Sequence, residues 1–197
     1  MKWQQLATLV IVRIKQVFGL YAFVLIPMWV MFFLNDTVFF GLWNIFGIVP
    51  RTLDIGSMIG VFASWTMHGN FSHLVGNSLT LMQILFLFGL FENNAYRTIL
   101  KLIIASGIMT WIIASPLTIH IGASGLCFAM LGFIVFARRW GYLLACIVMG
   151  TGYWLTIKQG LIPQQGISFA AHFGGLCAGL LLGANSEHAY TRVSNRY

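Results

Sequence analysis

The sequence predicts an all-α membrane protein, a bundle of six transmembrane helices, and three observations lead there. First, 59% of the 197 residues are hydrophobic and only 8% are charged, with a mean hydropathy of +0.86. A water-facing surface on a domain of this size carries about 25% charged residues. Second, the chain holds six apolar runs, each close to the length of about 20 residues that crosses about 30 Å of hydrocarbon. Third, the eleven Lys and Arg residues fall in a pattern that alternates with those runs. Together these exclude an ordinary soluble globule, a disordered chain and a secreted disulfide scaffold. The net charge of +7 does not indicate a nucleic-acid partner, because the basic residues sit in ones and twos and do not cluster.

Residues 1–16, with Trp3, Arg13 and Lys15 among apolar neighbours, read as an interfacial lead-in to a first span over 17–35. They lack the short apolar core and small-residue cleavage site of a signal peptide, so Met1 is expected to stay on the mature chain. A long connection follows over 36–72. Its apolar pieces 42–49 and 55–65 are too short to cross, and Pro50, Gly56 and Gly60 interrupt it. Such a segment is expected to lie in the interface or to dip in against the bundle, since lipid-exposed irregular backbone is not tolerated. The second to sixth spans are expected at 73–91, 96–114, 122–138, 141–158 and 168–186, with a cytoplasmic tail over 187–197. No internal repeat, low-complexity stretch or long linker divides the chain, which reads as one domain. Cys127, Cys146 and Cys177 all lie in apolar runs without a CxxC pair, and read as small buried apolar residues.

Six spans put both termini on one side. Lys2, Arg13, Lys15, Arg97, Lys101, Arg138, Arg139, Arg192 and Arg196 then share that side, against Arg51 and Lys158 opposite. The asymmetry predicts cytoplasmic termini and an outer location for 36–72. The second, fourth and sixth spans all run inward from the outer surface, so their first turns share one depth. There the second span carries His73 and Asn77, the fourth Ser124 and the sixth His172. Ionisable residues in membrane segments usually face the bundle interior or a hydrated cavity.

Taken singly, each has a plainer reading. His73 and Asn77, four apart and so about 6 Å along one helix face, suit interhelical hydrogen bonds. The GxSG pattern Gly122-Ala123-Ser124-Gly125 is weak alone in a chain with 21 glycines, and His172 suits a satisfied core histidine. The conjunction favours chemistry. Ala171, Gly175, Gly179 and Gly183 form a stripe of small residues on the sixth span, and Gly125, Ala129 and Gly132 a comparable one on the fourth. Such faces let backbones approach closely, which brings the Ser124 hydroxyl toward the His172 ring. A serine beside a base is an activated nucleophile.

These residues resemble the rhomboid intramembrane serine proteases of the bacterial six-span form. The matching pieces are His73-Leu-Val-Gly-Asn77, the GxSG around Ser124 with Gly132 eight residues on, and Ala171-His172-x-x-Gly175-x-x-x-Gly179. His68-Gly-Asn-Phe-Ser-His73 resembles the family's lead-in to the second span. The resemblance covers roughly 40–185. It implies a rhomboid-like bundle with Ser124 as nucleophile and His172 as general base. His73, Asn77 and the Ser124 backbone N–H would bind the oxyanion, with Gly122, Gly125, Phe128, Gly175 and Gly179 supporting the dyad. Inventory agrees on a dyad: Asp36 and Asp54 lie in the outer connection, Glu92 ends the second span and Glu187 is in the tail, so no carboxylate is placed for a triad. Phe128 stands where some members carry a tyrosine that stacks under the histidine. The Trp-Arg pair that some members carry in the outer connection is not evident, and Arg51 is the basic residue there. Glu92 matches a family position read as structural.

The resemblance implies transmembrane protein substrates cut near the outer face of the cell (inner) membrane, with lipid around the bundle. No cofactor, metal or nucleic acid is expected. Gly160, Pro163 and Gly166 suit a cap over the site at 158–168, gating entry together with the fifth span. The alternative is a catalytically silent relative that binds and routes transmembrane clients; such relatives lack the serine or the histidine, and both are present here. A transporter would place its polar residues near the midplane, and a plain scaffold has no use for the pairing.

Overall fold

The computed structural model describes residues 3–136, 160–162 and 167–194. Within them the chain forms six α-helices: α1 (Trp3–Thr37), α2 (Ile55–Ala63), α3 (Phe71–Phe91), α4 (Ala95–Ile113), α5 (Ser124–Phe136) and α6 (Phe169–Ser194). No strand occurs among the described residues. One isolated antiparallel bridge joins Ile48 and His120. The fold is an all-α membrane bundle, and α1, α3 and α4 are each long and apolar enough to cross a bilayer. They take the places of the first three expected spans. The expected fifth span at 141–158, and with it Arg138, Arg139, Cys146 and Lys158, lies outside the described residues, as do Pro163 and Gly166 of the expected cap.

Two helices run further than the apolar runs suggest. α1 starts at Trp3 because neither proline nor glycine interrupts the chain before Gly19. α6 continues to Ser194 because nothing after Gly183 breaks it. Val17, Leu20, Val24, Met28 and Phe32 repeat at three to four residues and form the buried stripe of α1, which packs on α3. Polar ties fix the register of the pair: Trp29 Nε1 donates to Ser78 Oγ at 3.1 Å and the Tyr21 hydroxyl to the Met82 carbonyl at 3.0 Å.

The 36–72 connection is held at both ends. Asn35 is buried at the end of α1; its side chain accepts from Trp43 N–H at 2.9 Å and donates to Asn44 at 3.0 Å. The piece 42–49 accordingly tightens into a 3-10 turn over Leu42–Phe46. Asp54 caps α2 by accepting from Ser57 N–H at 2.9 Å, and this bond holds its carboxyl below the usual carboxylate range. Arg51 donates to the Ala114 carbonyl at 3.0 Å, and Trp111 Nε1 to the Thr52 carbonyl at 2.9 Å. These two bonds anchor the connection to the end of α4. α2 itself lies against α4, where a Cβ on Gly107 would come within 3.0 Å of the Val61 backbone.

Among the described residues the closest helix pair is α5 with α6. A Cβ on Gly175 would lie 3.0 Å from the Gly125 carbonyl carbon, and one on Gly179 would lie 2.8 Å from that of Ala129. Helix backbones meet here without side chains between them, which requires small residues at these positions.

Candidate active site

His73 and Asn77 lie in the first turns of α3, whose start is set by Asn70. The Asn70 side chain accepts from His73 N–H at 2.9 Å and from the Ser72 hydroxyl at 2.7 Å, an N-cap that satisfies one of the helix's free donors. Asn77 is buried and its Nδ2 donates to His68 Nε2 at 3.0 Å. His68 therefore carries its own proton on Nδ1, which points at the Thr66 carbonyl 3.3 Å away. Burial first, and the neighbouring His73 second, push the His68 pKa down to about 4. The two imidazoles meet edge to face at 5.0 Å.

The chain reaches Ser124 through the loop 114–123. Gly122 has φ +112°, a conformation open to glycine and strained for other residues. Its N–H donates to the Ser64 carbonyl at 2.9 Å. A Cβ there would lie 2.6 Å from His73 Cε1 and 3.5 Å from Asn77 Nδ2. The glycine before the serine is thus what lets this loop press against the two polar residues of α3. Ser124 is the first residue of α5, beside the free N–H groups and positive dipole end of that helix.

His172 sits in the first turn of α6. It is buried and stacks on Phe128 with ring centroids 4.5 Å apart and planes at 17°. Its Nδ1 lies 2.7 Å from the Gly160 carbonyl oxygen. A carbonyl only accepts, so Nδ1 holds the proton and Nε2 keeps the lone pair. Ser168 caps the same helix by accepting from Ala171 N–H at 3.1 Å, and its Oγ lies 2.6 Å from His120 Nδ1. The other nitrogen of His120 meets the Thr118 hydroxyl at 2.7 Å. Burial lowers the His120 pKa.

One cleft of about 770 Å³ gathers these groups: His73, Asn77, Ser124, Phe128, Gly160 and His172 all line it. Ser124 and His172 share it without a direct hydrogen bond between them among the described residues; in unliganded sites such bonds are often long and tighten only around substrate. Of the residues tied to the site by sequence, Gly122 touches the α3 pair, while Gly125, Gly175 and Gly179 form the α5–α6 contact. None of Asp36, Asp54 and Glu92 lines the cleft. Among the described residues no three of His, Cys, Asp and Glu gather as metal ligands.

Three participants escaped sequence reasoning. Gly160 acts through its main chain, and the sequence marks it only as a breaker in the cap at 158–168. Ser168 reads as an ordinary N-cap. His120 carried a signal, a histidine four residues before Ser124, whose partner on α6 only the fold reveals.

Fold and site together define an integral membrane protein with a polar, histidine-rich cleft where three helices begin. Residues 55–186 match the Rhomboid domain, and the chain belongs to the rhomboid family. It is similar to uncharacterized proteins of mycobacteria. One from Mycobacterium leprae is 29% identical over 144 residues, 66% of this chain and 57% of the relative. Others, from Mycobacterium bovis and Mycobacterium tuberculosis, are each 30% identical over 145 residues, 66% of this chain and 60% of the relative. The chain thus spans less than two thirds of the length of these relatives.

Proposed function

We propose that the chain is an intramembrane serine endopeptidase that cleaves transmembrane proteins near the outer face of the cell membrane, using a Ser124–His172 dyad. The observation that carries this reading is the pairing in one cleft of a helix-initiating serine with a buried histidine whose Nε2 keeps its lone pair. His172 Nε2 takes the Ser124 hydroxyl proton as Oγ attacks the substrate carbonyl. The oxyanion forms beside Asn77, His73 and the Ser124 N–H, at the positive end of α5. The histidine then gives its proton to the leaving amine. Water, activated by the same nitrogen, releases the acyl group and returns the serine. Substrate helices reach the cleft through the membrane, with lipid as the surrounding solvent and both termini of the chain in the cytoplasm.

A panel of single-span membrane proteins incubated with the purified chain tests the activity. Ser124→Ala and His172→Ala are each expected to abolish cleavage without unfolding the protein, and the double variant to lose no more than either single one, since nucleophile and base act as a unit. A fluorophosphonate is expected to label Ser124 in the wild type and to fail on His172→Ala. Proteolysis retained by Ser124→Ala overturns the reading. Labelling of Ser124 without cleavage of any substrate would instead support the alternative, a client-binding protein.

A further inference from the structure

We infer that the main-chain carbonyl of Gly160 does for His172 what a carboxylate does in a three-residue catalytic site: it sets the tautomer and the ring orientation of the base. The inference rests on the protease reading for its functional meaning, and on geometry of its own for the contact. The carbonyl oxygen lies 2.7 Å from Nδ1 of a buried ring. Being an acceptor only, it selects the Nδ1–H tautomer and leaves Nε2 unprotonated. Phe128 holds the opposite constraint by stacking on the ring face, so the imidazole keeps one rotation left to fix, and the bond to Gly160 fixes it.

Residue identity at 160 follows from the same contact. A Cβ there would lie 2.6 Å from Phe128 Cε2 and 3.0 Å from His172 Nδ1. Any side chain would wedge the two rings away from the carbonyl. A phenyl ring at 128 has no hydroxyl to hold the histidine, and among the described residues no carboxylate lines the cleft. The neutral carbonyl orients the ring without adding a charge, so the base is positioned but its imidazolium gains no ion-pair partner. Gly160 is accordingly a positioning residue, acting through His172.

Two measurements on the full chain in detergent test this. Nitrogen-15 NMR of histidine-labelled protein, with His172 assigned by comparison with His172→Gln, reads the tautomer directly. A protonated Nδ1 with an unprotonated Nε2 is expected at neutral pH; the reverse tautomer overturns the inference. Replacing Leu161 by its α-hydroxy acid turns the 160–161 amide into an ester and weakens the Gly160 carbonyl as an acceptor. Fluorophosphonate labelling of Ser124 is expected to slow about fivefold, as befits part of one hydrogen bond. The same replacement at Ile162, which weakens the Leu161 carbonyl, is expected to leave the rate unchanged. Equal rates in wild type and the 161 ester overturn the positioning role. The NMR readout needs no turnover, so a wild-type chain that never labels sinks the protease reading while the tautomer still decides the contact.

Discussion

An imidazole works as a base when its lone pair faces the proton it is to take, and at His172, the proposed base, a stacked ring and a backbone carbonyl hold the ring in one orientation. The α3 pair is organised the same way. His68 accepts one hydrogen of the Asn77 amide at 3.0 Å, and in the proposed mechanism the second amide hydrogen donates to the oxyanion. Asn77→Ala is expected to slow cleavage about 10²–10³-fold without abolishing it, the usual worth of one such donor, measured as kcat/KM on a cleaved substrate. His68 itself predicts a pH dependence. With its folded pKa near 4 against 6.5 unfolded, it costs nothing above pH 6.5, where both states are neutral. As pH falls from 6.5 to about 4 the unfolded chain takes the proton first, and stability drops by at most about 3 kcal/mol. Thermal unfolding between pH 7 and 4 is expected to fall more steeply for the wild type than for His68→Gln, whose amide oxygen can still accept from Asn77. The polar residues themselves were legible as residue types at one depth of the bundle. Their tautomers were not, because these depend on partners such as Thr66 and Gly160 that contribute only main chain.

At the level of elements, the first turns of α3, α5 and α6 converge because each start is pinned. Asn70 caps α3, Gly122 brings the chain to α5 against His73, and Ser168 caps α6 while touching His120 from the loop ahead of Ser124. The last contact joins the loop that leads to Ser124, the proposed nucleophile, to the helix that bears His172, the proposed base. Ser168→Ala is expected to destabilise the chain by about 1–2 kcal/mol through the lost cap and the stranded imidazole, and to lower the labelling rate of Ser124. Ser168→Thr, which keeps the hydroxyl, is expected to restore both; thermal unfolding and labelling kinetics check this. The small-residue stripes made the α5–α6 contact readable from spacing alone. The course of 36–72 was not readable, because its anchors are single side-chain bonds, such as Arg51 to Ala114 and Trp111 to Thr52, between distant parts of the chain.

For the whole molecule, hydropathy and charge carried most of what composition can say. Helices α1, α3 and α4 coincide with the first three apolar runs, and the ends of α1 and α6 moved only because no breaker stopped them. The basic asymmetry yields the topology prediction. In a cysteine-free background, Asp54→Cys is expected to react with an impermeant maleimide added outside intact cells, and Asn94→Cys only after permeabilisation; the opposite pattern would scatter the proposed site across two faces. One packing feature bears on how a substrate gets in. Where Gly175 and Gly179 meet Gly125 and Ala129, the joint contains no side chain with rotamers to rearrange, so it has no second packed state to slip into. Serine and histidine therefore ride on a single strut. Any movement that opens the cleft must hinge elsewhere, and it leaves the two helix starts that carry Ser124 and His172 at a fixed separation.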